Sequence, residues 1–493
     1  MRENELPQSK PDGFASSLEE GASGAPANLA LTPETANPSG ETVVQKRPQA
    51  FLNHKYKNIF PLNMARAQAE VIPNRPAPAL QSFSRNDTIR PNRNAPLPGF
   101  PVREKEANHM SMNTVPERLA ALRAAMAANG VAVYLIPVGD PHASEYLPCH
   151  YTSLTWFSGF HGENSNFVVT RTESALWADG RYFVQAEKEI AGTEIKLQRM
   201  GEPGVPTVEE YCANALNEGE ALGLCGLTAS TALVNDLKKA LEKKGASIKT
   251  LNLEDELWTE GRPALPDTPA WILPKEYAGF SPAEKLDQLR SKLKELGCTA
   301  QFVGKLDHLA WLLNLRAMDI ECTPYAMAYC YVTPSRAVLF INTARVTPEA
   351  KAELEANGIT LAEYDDVLKF LAAETEPQTV LAECSTVNYA VYQVLEQNPA
   401  LTVKDGTDPL LMMKGVKNET ELAHTKQAHI RDAVAMVRFQ IELESRLAAG
   451  ETLTELTVDE ILHKYRSADD KFLVESFGTI AAYGGNAAMM HYH

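Results

Sequence analysis

The sequence predicts an α/β protein of several domains, on three observations. At TVPERLAALRAAMAANG-VAVYLIP a capped amphipathic helix runs straight into an apolar strand. About 165 residues later the same opening recurs at SPAEKLDQLRSKLKELG-TAQFVG, as two copies of a similar α/β domain would give. A third, longer capped helix begins near Lys414.

Residues 1–111 hold 14 of the 31 prolines, with Ser, Asn and Ala and few sustained apolar patterns. Such a stretch does not offset its ordering entropy by burial, so it is expected to be disordered. A native extension and a translation start at Met110 or Met112 both account for it, since Lys105-Glu106-Ala107 can be encoded by a purine-rich ribosome-binding sequence.

The first helix is punctuated by Thr114 and Glu117 as a capping box, by Pro116 in its first turn and by Gly130 at its end. Leu119, Leu122 and Met126 share its apolar face. Residues 131–137 then read as a buried strand. NSNFVVT and SALWADGRYF predict two further strands, the second turning into a helix at Tyr182. The Pro-rich stretch 261–274 reads as a linker. Beyond it, Ser281 and Glu284 cap a helix lined by Leu286, Leu289, Leu293 and Leu296 and stopped by Gly297, and residues 328–333 and 337–342 read as a strand pair. In the third unit, Asn418 and Glu421 cap a helix closed by Gly450. Thr457 and Glu460 are expected to cap the next, and FGTIAAYGGNAAMMHYH to begin a strand and loop. The apolar faces of these two helices, including Val434, Val437 and Ile441, are expected to be exposed.

The net charge of −16 argues against a nucleic-acid backbone or an anionic membrane as partner. No apolar run approaches the length of a bilayer span, and residues 1–10 lack the apolar core of a signal peptide. The seven cysteines are scattered and form no CxxC pair, which suggests a reducing, cytoplasmic compartment. No self-contained catalytic motif is present: HExxH, GxSxG and the phosphate-binding loop are all absent. His424 and His429 are five apart, off one helical face, and read as solvated or packed. GLCG (223–226) reads as a loop.

Four stretches together resemble aminopeptidase P, the Xaa-Pro aminopeptidases of the creatinase/prolidase-like pita-bread family: GDPHASEYLPCHYTSLTWFSGF (139–160), WADGRYFVQAEKEI (177–190), KLDHLAWLLNLRAMDIECTP (305–324), and VKNETELAHTKQAHIRDAVAMVRF with ESFGTIAAYGGNAAMMHYH. The resemblance covers 112–493. It implies two creatinase-like N-terminal α/β domains (112–268 and 269–413) and the incomplete start of a pita-bread catalytic domain (414–493). It also implies hydrolysis, by two divalent metals that are typically manganese, of the amide before a proline at the second position of a peptide. His491 matches a family histidine lining the substrate pocket, with a catalytic and substrate-binding role. Arg181, in DGRYF, matches an arginine that reaches toward bound peptide; a structural ion pair with Asp179 is its other reading. Asp179 reads as a turn or capping carboxylate, and Trp156 and Trp177 as core aromatics.

The family's metal ligands follow the HY segment and have no counterpart in this sequence, so no bound metal and no activity alone are expected of this chain. Family members are commonly dimers or tetramers, so a homo-oligomer is compatible with the resemblance. Two departures affect local geometry: His161 and Glu163-Asn164-Ser165-Asn166 replace a small-residue turn, and GGNA replaces GPNG. Two other readings remain: a creatinase- or prolidase-like hydrolase, and a non-catalytic binding or assembly module with the same domains.

Overall fold

In the computed structural model the described residues are 114–489 and 492. The chain divides into two units, 1–97 and 98–493, and every described residue lies in the second. The expectation for 1–111 lies outside the described residues.

The first half of the described chain builds one six-stranded sheet. In chain order its elements are α1 (Val115–Ala128), β1 (Val133–Pro137), α2 (Ser153–Ser158), β2 (Asn166–Thr170), β3 (Ser174–Ala178), α3 (Phe183–Glu189), β4 (Lys196–Arg199), α4 (Val208–Asn214), β5 (Ala221–Leu224), α5 (Thr231–Glu242), β6 (Ser247–Thr250) and α6 (Leu253–Leu257). The strand order is β4-β3-β2-β1-β5-β6. The β1–β2–β3 hairpins are antiparallel and the outer pairings parallel. β1 and β3 are buried along their whole length, as strands covered by helices on both faces must be.

The second half repeats this plan after β7 (Trp271–Ile272) and α7 (Lys275–Ala278). Its elements are α8 (Pro282–Glu295), β8 (Ala300–Val303), α9 (Leu306–Leu312), β9 (Leu315–Arg316), β10 (Tyr329–Val332), β11 (Ala337–Phe340), α10 (Pro348–Ala356), β12 (Ile359–Ala362), α11 (Val367–Ala372), β13 (Gln378–Leu381), α12 (Tyr389–Gln397), β14 (Leu401–Lys404) and α13 (Leu410–Gly415). The order β12-β11-β10-β8-β13-β14 matches the first sheet strand for strand, with the same parallel and antiparallel senses. α14 (Glu419–Ala448) and α15 (Glu455–Arg466) follow as a packed pair.

Local chemistry explains the punctuation. Glu117 accepts the Thr114 N–H at 2.6 Å, Glu284 that of Ser281 at 2.7 Å, and Glu421 that of Asn418 at 3.0 Å, so all three expected capping boxes are present. Gly130, Gly297 and Gly450 stop their helices at φ near +60 to +80°, where a side chain is strained. Trp156 and Trp177 are core residues, and Val434, Val437 and Ile441 are exposed.

Five details differ from expectation. Leu296 is the C-cap of α8 rather than a face residue and is 41% exposed. The stretch 261–274 is not linker throughout: Trp271 and Ile272 pair with Arg316 and Leu315, and the fully buried Ala270 exchanges backbone bonds with Arg345 and Thr347. GLCG is half strand, because Gly223 lies in β5, where a Cβ would stand 2.7 Å from the Tyr134 ring. Helix α15 starts earlier, with Thr454 rather than Thr457 as N-cap; the Thr454 hydroxyl accepts the Thr457 N–H. Residues 477–483 form no strand among the described residues and lead into a 3-10 turn at Gly484–Ala488, since no neighbouring strand offers them a ladder.

One buried acid gives a testable pH dependence. Glu254, 3% exposed, accepts a short hydrogen bond from the Tyr134 hydroxyl, and its Oε1 has no partner among the described residues. Burial pushes its carboxyl from 4.5 up to about 7. The folded state therefore holds a proton that the unfolded chain releases between these values, so stability falls as pH rises through that window. Glu254→Gln is expected to flatten this slope and to stabilise the protein at pH 8 by roughly 1–3 kcal/mol. Urea midpoints of both proteins at pH 5 and 8 check it, and parallel pH profiles contradict it.

Candidate functional site

Arg181 lies in the turn that leaves β3. The carboxylate of Asp179 shapes this turn: its Oδ1 accepts the Arg181 N–H at 2.9 Å, a side chain standing in for backbone. The same carboxylate holds the guanidinium. Nη2 donates to Oδ2 at 2.6 Å, and Nε donates to both oxygens at 3.1 Å. Asn164 adds a fourth donor, its Nδ2 lying 3.0 Å from Oδ2. These bonds, Arg181 first, hold the Asp179 carboxyl down at about 2 and raise the arginine further. The Arg181 side chain remains 38% exposed, with its guanidinium carbon 5.3 Å from the Tyr182 ring centroid. Tyr182 is buried, packs edge-on against Phe160 and donates to Glu163 at 3.2 Å. The ion pair with Asp179 exists, and it holds the guanidinium in a partly exposed position.

The departures at 161–166 contribute to this anchor. Gly162 leaves no room for a Cβ beside Phe160 and Tyr182. Asn164 adopts φ +45°, a region asparagine tolerates better than most residues, and so brings its amide to Asp179. Sequence reasoning assigned Asn164 and Glu163 no role. The available signal was the polar run itself, in a place where small residues were expected.

His491 lies outside the described residues. Its sequence neighbours converge on Glu455 at the start of α15: Glu455 accepts the Tyr483 N–H at 2.5 Å, the Asn486 amide at 3.2 Å and the Tyr492 hydroxyl at 2.7 Å.

The other stretches singled out in the sequence make joints. In GDPHASEY, His142 is buried between the two sheets. Its Nδ1 donates to the Gly304 carbonyl at 2.8 Å, since a carbonyl only accepts, which leaves Nε2 to accept from the Tyr364 hydroxyl at 2.8 Å. Burial lowers its pKa, in keeping with this neutral tautomer. In LDHLAWLLNLR, Asp307 pairs with Lys414, His308 Nδ1 donates to Asp408 at 2.7 Å, and Trp311 Nε1 donates to Glu421 at 2.9 Å, so α9 ties α13 and α14 to the second sheet. Asn314, at φ +53°, receives the buried Lys285 ammonium at 2.8 Å, and burial pulls that lysine down to about 8.

Among the described residues no three His, Cys, Asp or Glu side chains converge as a metal site requires. His424 sits on α14 with its Nε2 3.1 Å from the Glu276 carbonyl, in keeping with a packed helix histidine. No helix among the described residues is long and apolar enough to cross a membrane.

Two family models, each described as a creatinase/prolidase N-terminal domain, match residues 118–257 and 261–421. Aminopeptidase P2 of Arabidopsis thaliana is 34% identical over 77% of this chain and 58% of its own length. A probable Xaa-Pro aminopeptidase P of Sordaria macrospora is 35% identical over 78% of this chain and 64% of its own. The crystal structure of an X-prolyl aminopeptidase from Caenorhabditis elegans, described as a cytosolic enzyme with a di-nuclear active site, superposes with a TM-score of 0.72 at 31% identity over 77% of this chain and 64% of that one. The chain spans about three fifths of the length of the curated relatives it matches.

Proposed function

This chain belongs to the aminopeptidase P family of creatinase/prolidase-like proteins, and from that membership we propose that it forms the substrate-side part of an Xaa-Pro aminopeptidase. The reaction is hydrolysis of the amide between an N-terminal residue and a proline at the second position. In this reading 112–268 and 269–413 are the two creatinase-like domains, and 414–493 opens the peptidase domain. The partner is a peptide with proline second, and the location is cytosolic.

The observation that carries the reading is the pre-set guanidinium of Arg181. Three bonds to Asp179 fix its orientation before any ligand arrives, and its partial exposure leaves it within reach of one. A guanidinium carries five N–H donors and suits a peptide carbonyl or carboxylate oxygen. We assign His491 the task of hydrogen-bonding the substrate or the tetrahedral intermediate, as an imidazole does when it lines a peptide site. Two divalent ions, manganese in our reading, supply the activated water when bound. We assign this chain's own residues the share of binding and orienting the peptide.

The test fuses this chain to the segment of a longer relative that it does not span. In that protein Arg181→Ala is expected to raise KM for an Xaa-Pro tripeptide about tenfold with kcat nearly unchanged, the signature of lost ground-state binding. Losing the exposed pair with Asp179 should cost the fold little. An unchanged KM assigns Arg181 to the turn alone.

A further inference from the structure

A crevice lies at the carboxyl end of the first sheet. β1 leads to β2 on one side, while β5 leads through α5 to β6 on the other, so the chain diverges between these two parallel neighbours. Crevices at such points of divergence are where open α/β sheets take ligands. Here the crevice is a cavity of about 310 Å³, lined among others by Asp140, Ser144, Asn164, Thr228, Ser230 and Asn388. Gly139 on its wall stands so close to the Thr228 carbonyl that a Cβ would meet it at 2.7 Å, so a side chain there would displace the backbone.

Two polar groups on this wall are left over. Asp140 is 3% exposed. Its Oδ1 accepts the N–H groups of His142 and Ser144, each at 2.9 Å, while its Oδ2 has no partner among the described residues. The Ser144 hydroxyl is also buried without a partner among them. A buried carboxylate oxygen without a donor is costly, and a ligand that supplies the donor relieves the cost. Among the described residues the lining contains no Lys, Arg or His. Two of the three amide nitrogens in its lining are engaged elsewhere, Asn164 with Asp179 and Asn388 with the Pro141 carbonyl. One carboxylate with hydroxyl and carbonyl oxygens around it is too poor in charge for a divalent ion. It does suit three N–H donors on a single positive charge.

We propose that this cavity binds the primary ammonium group of a small molecule, with Asp140 Oδ2 and the Ser144 hydroxyl as its acceptors. The site does not depend on the peptidase reading, and its test uses no catalysis. Titration calorimetry on the full chain compares glycinamide with N-acetylglycinamide, in which a neutral acetamide replaces the ammonium, and with potassium chloride at matched ionic strength. Saturable binding of glycinamide alone is expected, weakened tenfold or more in Asp140→Asn, which keeps the Oδ1 acceptor that holds the loop. Should that variant fail to fold, Ser144→Ala is expected to weaken binding severalfold. Absence of glycinamide binding, an equal response to potassium or to the acetylated probe, or undiminished binding in the variants overturns the proposal.

Discussion

Replacing Arg345 with methionine is expected to lower the unfolding free energy by about 3–5 kcal/mol, because it leaves a buried carboxylate without its counter-charge. The side chains of Arg345 and Asp319 are 4% and 0% exposed. Arg345 Nη1 donates to both Asp319 oxygens, at 2.7 and 2.5 Å, and Nη2 donates to the Met327 carbonyl at 2.9 Å. The remaining capacity of Asp319 is filled by the Thr268 hydroxyl at 2.6 Å and the Met327 N–H at 2.7 Å. Three segments distant in sequence, around 268, 319–327 and 345, thus meet on one ion pair at the edge of the second sheet. The double variant Arg345→Met with Asp319→Leu should cost less than the single one, since removing both charges removes the orphan. Urea unfolding of the three proteins measures this. A single variant within about 1 kcal/mol of wild type would mean that water reaches the pair.

Trp258→Ala is expected to cost a similar 3–5 kcal/mol, here through lost packing. Trp258 stacks on Trp156 with ring centroids 5.5 Å apart and planes 16° from parallel. Arg118 and Arg262 add cations to the run, their guanidinium carbons 4.6 Å from the Trp156 ring and 5.4 Å from the Trp258 ring. Arg118 also donates to the Trp156 carbonyl at 2.5 Å and is buried deeply enough that its pKa is lowered. Arg262 begins the stretch between the sheets, and its Nε donates to the His150 carbonyl at 3.1 Å, so the stack holds that stretch on the first sheet's helices. Trp258→Phe should recover most of the loss. Intrinsic fluorescence supplies a second readout: Trp156 emission should shift to the red in the alanine variant and stay in place if the stack does not exist in solution.

What could be read from the sequence was what short segments decide for themselves. The caps at Thr114, Ser281 and Asn418 lie within four residues of the groups they satisfy, so their pattern is visible without a fold. The strand pair Tyr329–Val332 and Ala337–Phe340 is separated by a tight turn and was equally visible. β7 was hidden because two residues carry no period, and its partner lies more than forty residues away. The start of α15 was misplaced because Thr454 and Thr457 both fit a cap, and only the tertiary bonds of Glu455 to 483–492 separate them. At the candidate site, DGRYF drew attention to Arg181 through resemblance. The bond from Asn164, fifteen residues earlier, and the orphaned oxygen of Asp140 depend on how β1, β2 and β5 come together, which no local pattern encodes.

The most direct test of the peptidase reading is the release of the N-terminal residue from a matched pair of tripeptides, one with proline and one with alanine at the second position, by the fused protein supplied with manganese. The expected result is metal-dependent release from the proline peptide at least about a hundredfold faster than from its partner, a difference of roughly 3 kcal/mol in transition-state binding. Equal release from both, or none from a fused protein that is folded and carries its two metals, would contradict it.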